Sequence, residues 1–139
     1  MAHQPVVYVA STQYPGIISV TYRQKTTADE KNYRPSDRAR NGLITIRRAS
    51  DSNNDWFAWA ADSTEQNFKN GKIEFKNENN EVIRTLTWES GYVHRYEEGQ
   101  PDHRVGDVVK RIYEEVQIQA EIVTVDGVDH NDNWAEIST

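Results

Sequence analysis

The chain has 139 residues, and 16 Lys and Arg against 22 Asp and Glu give it a formal net charge of −6 at pH 7 with His neutral. This length suits a single domain over residues 1–139, and four Trp, seven Tyr and three Phe supply core anchors that a disordered chain lacks. The absence of Cys excludes disulfides, thiolate zinc sites and Cys nucleophiles, and the acidic balance argues against nonspecific nucleic-acid binding. No apolar run approaches the roughly 18 residues of a membrane-spanning helix, and the N-terminus lacks the pattern of a secretory signal peptide.

Alternation of apolar and polar residues predicts that most of the chain forms β-strands. In chain order, the predicted strands are Val6–Ala10, Ile17–Arg23, Leu43–Arg48, Lys72–Lys76, Val82–Trp88, Tyr92–Tyr96 and Val116–Ile122. Short polar segments separate most of them, which is typical of antiparallel neighbours.

A long polar segment, about residues 24–41, follows the second predicted strand and shows no clear period. A loop of this length is unusual in a compact domain and is often functional or an interaction arm. Its basic residues Arg34, Arg38 and Arg40 stand among acidic ones, and Arg47 and Arg48 follow in the next strand. Mixed charges on such an arm favour contact with a protein over contact with a phosphate backbone.

One helix is predicted over about Asn53–Asn67. Ser52 with Asp55 three residues later is typical of an N-terminal cap. Trp56 and Trp59 fall on one face, so the helix should flank or plug the sheet. Asn70-Gly71 is expected to end the helical segment before the next strand.

A hairpin is predicted around the polar turn Asn77-Glu-Asn-Asn80, because Asn tolerates left-handed backbone angles. Gly91 is expected to mark a bulge or bend in the segment that follows.

The clearest alternation lies near the C-terminus and separates two sets of side chains. The apolar set is Val116, Ile118, Ala120 and Ile122, and the polar set is Gln117, Gln119 and Glu121. One face should be buried and the other wet. Together, these elements predict a mainly β fold: a small antiparallel β-barrel of two packed sheets, with one flanking α-helix and a long extended loop.

The patterns of metal sites and catalytic sites are weak. His94, His103 and His130 have no metal-site spacing. Asp51, Asn53 and Asp55 have the first three spacings of a calcium loop, as do Asp129, Asn131 and Asn133, but a Trp follows each set where Gly is needed. We therefore predict no metal, no cofactor and no catalytic residue.

Carboxylates and tryptophans could carry other functions. Glu114, Glu115 and Glu121 lie in or beside the last strand, where solvation is the simpler interpretation. Trp56, Trp59, Trp88 and Trp134 could form a sugar platform, but the in-phase positions of the first three favour core packing. Trp134 lies outside any periodic pattern and could attach the C-terminal segment to the body or to a neighbour.

The order of several short motifs resembles a known family. The motifs are Asn32-Tyr-Arg-Pro-Ser-Asp, Gly42-Leu-Ile-Thr-Ile, Ser50-Asp-Ser-Asn-Asn-Asp-Trp56, Asn70-Gly-Lys-Ile-Glu-Phe75, Arg84-Thr-Leu-Thr-Trp88 and Asp132-Asn-Trp134. Their order and spacing over about residues 32–134 resemble the inner-tube proteins of contractile injection systems, the Hcp (TssD) family of type VI secretion. The likeness is greatest to the Bacteroidetes-type form, and phage tail tube proteins are related.

The resemblance implies a structural subunit without a cofactor. Six copies would form a ring, and rings would stack into a hollow tube propelled by contraction of a sheath. The implied partners are the chain itself, sheath, baseplate and spike proteins, and effector cargo in the lumen. No nucleic acid and no direct membrane insertion are implied. The implied location is the bacterial cytoplasm during assembly and the exterior after firing.

The resemblance also implies roles for particular residues. The loop 24–41 corresponds to an inter-ring arm, with Tyr33, Arg34, Arg38 and Arg40 as candidate contacts. Gln117, Gln119 and Glu121 are candidates for lining the lumen.

Two other functions remain open at the level of sequence. One is a monomeric β-sandwich binding module, for example for carbohydrate, which exposed Trp residues would support. The other is a small enzyme with carboxylates inside a barrel, which would require a perturbed acid in a pocket.

Overall fold

The structure is a computed structural model that describes residues 4–24, 42–100 and 112–127, and the backbone of residues 104–105, 108–109 and 128–131. Its strands are β1 (Val6–Val9), β2 (Thr12–Tyr14), β3 (Ile17–Tyr22), β4 (Ile44–Ala49), β5 (Lys69–Lys76), β6 (Val82–Gly99), β7 (Arg104–Val105), β8 (Val108–Val109), β9 (Tyr113–Val125) and β10 (Val128–Asn131). One α-helix, α1 (Asp55–Ala61), and a turn of 3-10 helix, Glu65–Asn67, connect β4 to β5.

Eight of these strands form one antiparallel sheet in the order β2-β1-β5-β6-β9-β4-β3, with β10 also paired to β9. The long strands β6 and β9 form its centre, and β7 pairs separately with β8. The sheet curls into a half-barrel, so that β1 and β5 on one arm share a core with β3 and β4 on the other. The predicted mainly β fold with one flanking helix is confirmed, and its two layers are the arms of one continuous sheet.

The core lies inside this curl. Val7 and Val9 of β1 meet Ile44 and Ile46 of β4 in one cluster of buried residues. Three tryptophans with at most 2% exposure complete it, namely Trp56, Trp59 and Trp88. Each such ring removes roughly 150–250 Å² from water, so the three indoles dominate the core.

The helix is shorter than the sequence predicted, and its cap is different. It ends at Ala61 because the Asp62 side chain accepts a hydrogen bond from the Thr64 backbone N–H, a local turn that competes with helix. At the other end Ser52 does not cap it. The N-cap residue is Asn54, whose side chain makes no capping hydrogen bond, and the Asn53 side chain before it accepts a hydrogen bond from the Asp55 backbone N–H at 2.8 Å.

Asn70 and Gly71 do not terminate a helix, since both lie within β5. Gly71 is needed there for close packing, because a Cβ atom at this position would lie 2.1 Å from the Trp88 ring. The Trp88 indole N–H then donates to the Lys69 carbonyl oxygen at 3.0 Å. The Asn-Gly pair therefore accommodates a tryptophan where the sequence suggested a helix end.

The predicted hairpin and bend are confirmed. Asn77 accepts hydrogen bonds from two backbone N–H groups of the turn, and Asn80 has a φ of +64°. Beyond it, the segments predicted as two strands form the single strand β6. The β5–β6 register shifts between Lys69 and Gly71, opposite Gly91, and Ser90 has a φ of +56°.

The same irregularity changes which residues of β9 are buried. The core face runs as predicted through Val116, Ile118 and Ala120. It then passes to Val123, which is buried, while Ile122 is only partly buried. The prediction for Ile122 was wrong because the two-residue alternation breaks in both strands at this point. On the paired strand β6, Trp88 and Gly91 both face the core although they are three residues apart, and Val123 and Ala120 lie opposite them.

Candidate assembly surfaces

The outer side of the central strands is a polar surface, which we call the polar sheet face. It carries Gln117 and Gln119 of β9, which are partly buried and out of phase with Val116, Ile118 and Ala120, and it ends at the partly buried Glu121, where the alternation of β9 breaks. Gln117 lies between Thr45 of β4 and Arg95 of β6. The sheet therefore presents hydrogen-bonding side chains to water on the side opposite its apolar core.

An ion pair crosses this face farther along the same strands. Arg47 and Glu115 are register partners, and two guanidinium nitrogens of Arg47 lie 3.1 Å from the same Glu115 oxygen. The guanidinium also lies 4.2 Å from the centre of the Tyr113 ring. The Tyr113 hydroxyl donates to the Glu97 carboxylate at 3.1 Å. These side chains form a connected polar surface across β4, β9 and β6.

The next register pair, Arg48 and Glu114, points to the other side and is buried. Arg48 Nε donates to Glu114 Oε1 at 2.6 Å, and its two terminal nitrogens donate to the two carboxylate oxygens of Asp51 at 3.2 and 3.1 Å. The Tyr96 hydroxyl donates to the second Glu114 oxygen at 2.9 Å. We call Arg48, Glu114, Asp51 and Tyr96 the buried polar cluster after its two buried members, Arg48 and Glu114; Tyr96 is partly buried and the Asp51 side chain is 43% exposed.

The buried polar cluster holds the helix against the barrel. The Arg48 guanidinium lies 5.1 Å from the centre of the Trp56 ring and contacts the Asn53 carbonyl oxygen at 3.5 Å. The Tyr14 hydroxyl donates to Asp55, the first residue of the helix, at 2.9 Å. Strands β2, β4, β6 and β9 are therefore linked to the start of α1 through charged and aromatic groups.

Proton affinities around the cluster follow from these contacts. Burial, and then the hydrogen bond to Asp55, raise the pKa of Tyr14 to about 12. Burial and the hydrogen bond to Glu114 likewise raise the pKa of Tyr96. The hydrogen bond from Arg48 lowers the pKa of Asp51. All three groups keep, at neutral pH, the protonation states that their hydrogen bonds require.

The buried polar cluster was not predicted, although the positions of two of its residues in the sequence indicate it. Arg48 continues the buried phase of Ile44 and Ile46, and Glu114 precedes Val116 at the same spacing. Two opposite charges, each in phase with the core of its strand, indicate a buried pair. Arg48 was instead grouped with the basic loop residues, and Glu114 with solvated acids. Both interpretations were wrong.

The other predicted site residues divide into two sets. Gln117 and Gln119 lie on the polar sheet face, as their phase predicted, and Glu121 lies at its end, where the core side of β9 passes from Ala120 to Val123. A second set lies outside the described residues, namely Tyr33, Arg34, Arg38, Arg40 and Trp134.

The described residues include no group of three or more His, Asp or Glu that could hold a metal ion. In the same ranges, no helix is long and apolar enough to cross a membrane.

The first calcium pattern has a structural explanation. Asp51 accepts hydrogen bonds from Arg48 and from the Asn53 backbone, and Asn53 accepts from the Asp55 backbone. The repeated spacing forms consecutive turns that lead into α1. The second pattern, from Asp129 onward, has no described side chains.

Comparison with known proteins identifies relatives of this fold. The family model for hemolysin coregulated protein Hcp (TssD) matches residues 1–135. Hcp1 from Flavobacterium johnsoniae is 22% identical with a TM-score of 0.77, and the match covers 93% of this chain and 99% of that chain. Hcp1 from the E. coli EAEC 042 pathovar is 11% identical with a TM-score of 0.71, covering 96% and 99%. The sheath-tube complex of an extracellular contractile injection system, PVC, contains a chain that is 14% identical with a TM-score of 0.55, covering 90% and 89%. No curated protein sequence matches significantly.

Proposed function

The chain belongs to the hemolysin coregulated protein (Hcp, TssD) family, and on that premise we propose that it is a structural inner-tube subunit of a contractile injection apparatus. Six copies form a ring, and rings stack into a hollow tube that sheath contraction propels. The family match over residues 1–135 carries this proposal. The similar folds of the Hcp1 proteins and of the injection-system tube chain support it.

The polar sheet face supports a role as the wall of a water-filled channel. Gln117, Gln119 and Glu121 alternate with core residues over a continuous stretch of β9. A wall of this kind keeps its apolar side chains in the core and presents amide and carboxylate groups to the lumen. Effector cargo would meet this surface.

The segment 24–41 is the proposed inter-ring arm. Tyr33 would supply an aromatic anchor, and Arg34, Arg38 and Arg40 would supply charge, for docking on a neighbouring ring. Trp134 is proposed to attach the C-terminal segment to the body of the subunit or to its neighbour.

The other proposed partners are the further components of a contractile injection apparatus. The tube contacts sheath subunits outside, a baseplate at one end and a spike at the tip. We propose that it assembles in the bacterial cytoplasm and leaves the cell on firing. The proposed role is structural, without catalysis or a cofactor.

Three of the four tryptophans that could support the competing carbohydrate-binding function are buried, and the fourth, Trp134, lies outside the described residues. Trp56, Trp59 and Trp88 are at most 2% exposed, so none of them offers a ring face to a sugar. No observation on the described residues favours an enzyme.

Electron microscopy of the purified protein over a concentration series, with mass-resolved size exclusion, tests the proposal. We expect rings of six copies with a central hole, which stack into tubes as the concentration rises. A monomer at every concentration, together with binding in a glycan screen, would contradict the proposal in favour of a binding module.

A deletion tests the arm separately. Removing residues 26–39 should leave the domain folded and the rings intact but weaken stacking, because only the inter-ring contact is lost. Circular dichroism and electron microscopy measure the two effects, and a Gly/Ser segment of equal length serves as the control for loop closure. Unfolding of the shortened chain would show that the segment belongs to the fold.

A further inference from the structure

The hairpin between β5 and β6 ends in an exposed tip, residues 77–83. Every residue from Glu78 to Ile83 is exposed, although Val82 and Ile83 are apolar, with exposures of 49% and 61%. Glu78 and Glu81 have no ion-pair partner among the described residues. The tip therefore projects beyond the core and combines two acids with two uncovered β-branched side chains.

This tip is rigid before any contact forms. The Asn77 side chain accepts hydrogen bonds from the Asn79 and Glu81 backbone N–H groups at 2.9 and 3.0 Å. The Asn77 backbone N–H also donates to the Glu81 carbonyl oxygen at 3.0 Å. A preorganised surface loses little conformational entropy on binding, so even modest contacts yield net affinity.

At the opposite end of β5 lies a groove of about 720 Å³. Its lining residues are Tyr8, Ala10, Ser11, Phe68, Lys69, Asn70, Gly71 and Lys72. Lys69 and Lys72 bring positive charge to the groove in a chain of net charge −6, and no described lining residue is acidic, although Glu74 beside the groove lies 3.5 Å from Lys72. The Tyr8 and Phe68 rings provide apolar walls.

The groove is also shaped in advance by local contacts. The Ala10 backbone N–H donates to the Asn70 carbonyl oxygen at 2.8 Å, which holds the β1–β2 turn against β5. Phe68 stacks on Tyr92 with a centroid distance of 5.5 Å. Lys72 lies 4.9 Å from the centre of the Tyr8 ring and 3.5 Å from Glu74, which orients its ammonium group along the outer face.

Tip and groove are complementary but cannot meet within one subunit. They lie at the two ends of the eight-residue strand β5, about 23 Å apart at roughly 3.3 Å per residue. We propose that the tip of one copy docks in the groove of the next, with Glu78 and Glu81 facing Lys69 and Lys72. Val82 and Ile83 pack on the Tyr8 and Phe68 rings.

A contact between two different surfaces of identical subunits is head-to-tail and repeats without limit unless it closes into a ring. We assign it to subunits of successive rings, so that it deepens the proposed tube function, on which it rests, by specifying a stacking contact. The contact is separate from the arm at residues 24–41. It also gives the stack a direction, because a tip cannot pair with a tip.

Charge reversal tests the contact in both directions. The groove variant carries Lys69→Glu and Lys72→Glu, and the tip variant carries Glu78→Lys and Glu81→Lys. Each alone should form rings that fail to stack, whereas an equimolar mixture should stack again because the altered tip fits the altered groove. Glu98→Lys, an exposed acid outside both surfaces, is the control for a change of net charge and should stack as the unaltered chain does.

Single cysteines in this Cys-free chain give a second measurement. Lys72→Cys mixed with Glu81→Cys should give a cross-linked heterodimer that neither variant yields alone. Failure of the mixture to stack, absence of that cross-link, or rings of unaltered protein that never stack would each overturn the docking contact. Loss of the rings themselves in the unaltered protein would instead overturn the tube function.

Discussion

Two neighbouring register pairs on β4 and β9 carry the same chemistry in different environments. Arg47 and Glu115 lie on the polar sheet face, where their side chains are 38% and 17% exposed. Arg48 and Glu114, one residue along each strand, lie in the core with 0% and 4% exposure. The pleat of the strands alone separates them, since successive side chains point to opposite faces.

The difference shows how burial changes the role of an ion pair. Water screens the outer pair, so its contribution to stability is small. The inner pair has lost its hydration and depends on its partners. Arg48 replaces its lost hydrogen bonds to water by donating to Glu114 and Asp51, and Glu114 also accepts a hydrogen bond from the Tyr96 hydroxyl. The inner pair therefore determines where α1 and the barrel meet, and the outer pair shapes a surface.

The largest expected effect comes from removing one buried partner. Glu114→Ala should lower the free energy of unfolding by about 3–5 kcal/mol, because it removes the buried partner of the Arg48 charge and leaves only the 43% exposed Asp51 side chain to pair with it. Glu115→Ala, the matched change on the outer face, should lower it by about 0–1 kcal/mol. Urea denaturation measures both, and equal losses would contradict the comparison.

A similar loss of stability is expected when a core tryptophan is removed from α1, the helix that the inner pair positions. Trp59→Ala should lower the free energy of unfolding by about 3–5 kcal/mol, because it opens a large cavity in the core. The control is Phe57→Ala on the same helix, where the ring is 57% exposed and should matter much less. Unchanged thermal stability of the Trp59 variant would place that ring outside the core.

Replacing both buried charges at once should have a smaller effect than removing one. With Arg48→Met and Glu114→Leu together, stability should equal that of the unaltered chain or exceed it by about 1–4 kcal/mol, since no charge remains to be solvated. The docking of α1 should loosen, because Met and Leu make no hydrogen bond to Asp51 or Tyr96. Near-ultraviolet circular dichroism reports the indole packing, and a double variant as unstable as Glu114→Ala would contradict this account.

The smallest effect concerns alkaline pH. The folded pKa of Tyr14 is about 12, above the usual value of about 10, mainly because of burial and then the Asp55 hydrogen bond. The resulting stabilisation is complete below pH 10 and is lost as the pH rises through 12. Between these values the urea midpoint should fall less steeply for Tyr14→Phe than for the unaltered chain. Parallel curves for the two proteins would rule out a contribution from Tyr14.

Much of the fold could be predicted from local pattern. Most of the longer strands, the Asn77–Asn80 turn and the burial of Trp56, Trp59 and Trp88 follow from period and turn chemistry, whereas the short strands β2, β7, β8 and β10 were not predicted and β6 was predicted as two strands. The polar sheet face followed from the same alternation, since it only required that Gln117 and Gln119 oppose the core. The length of α1 did not follow, because the turn at Asp62 competes with the helical period.

The sequence by itself determined a mainly β domain, the phase of most of the longer strands and the family to which the order of its motifs points. Only the tertiary structure decided that Arg48 and Glu114 form a buried pair, that Gly71 makes room for Trp88, and that an acidic tip and a basic groove occupy opposite ends of β5. Alternation specifies which face a side chain takes, but it carries no information on which distant strand lies opposite. That choice depends on how the whole sheet curls around one core, where contacts between residues far apart in the chain outweigh local preference.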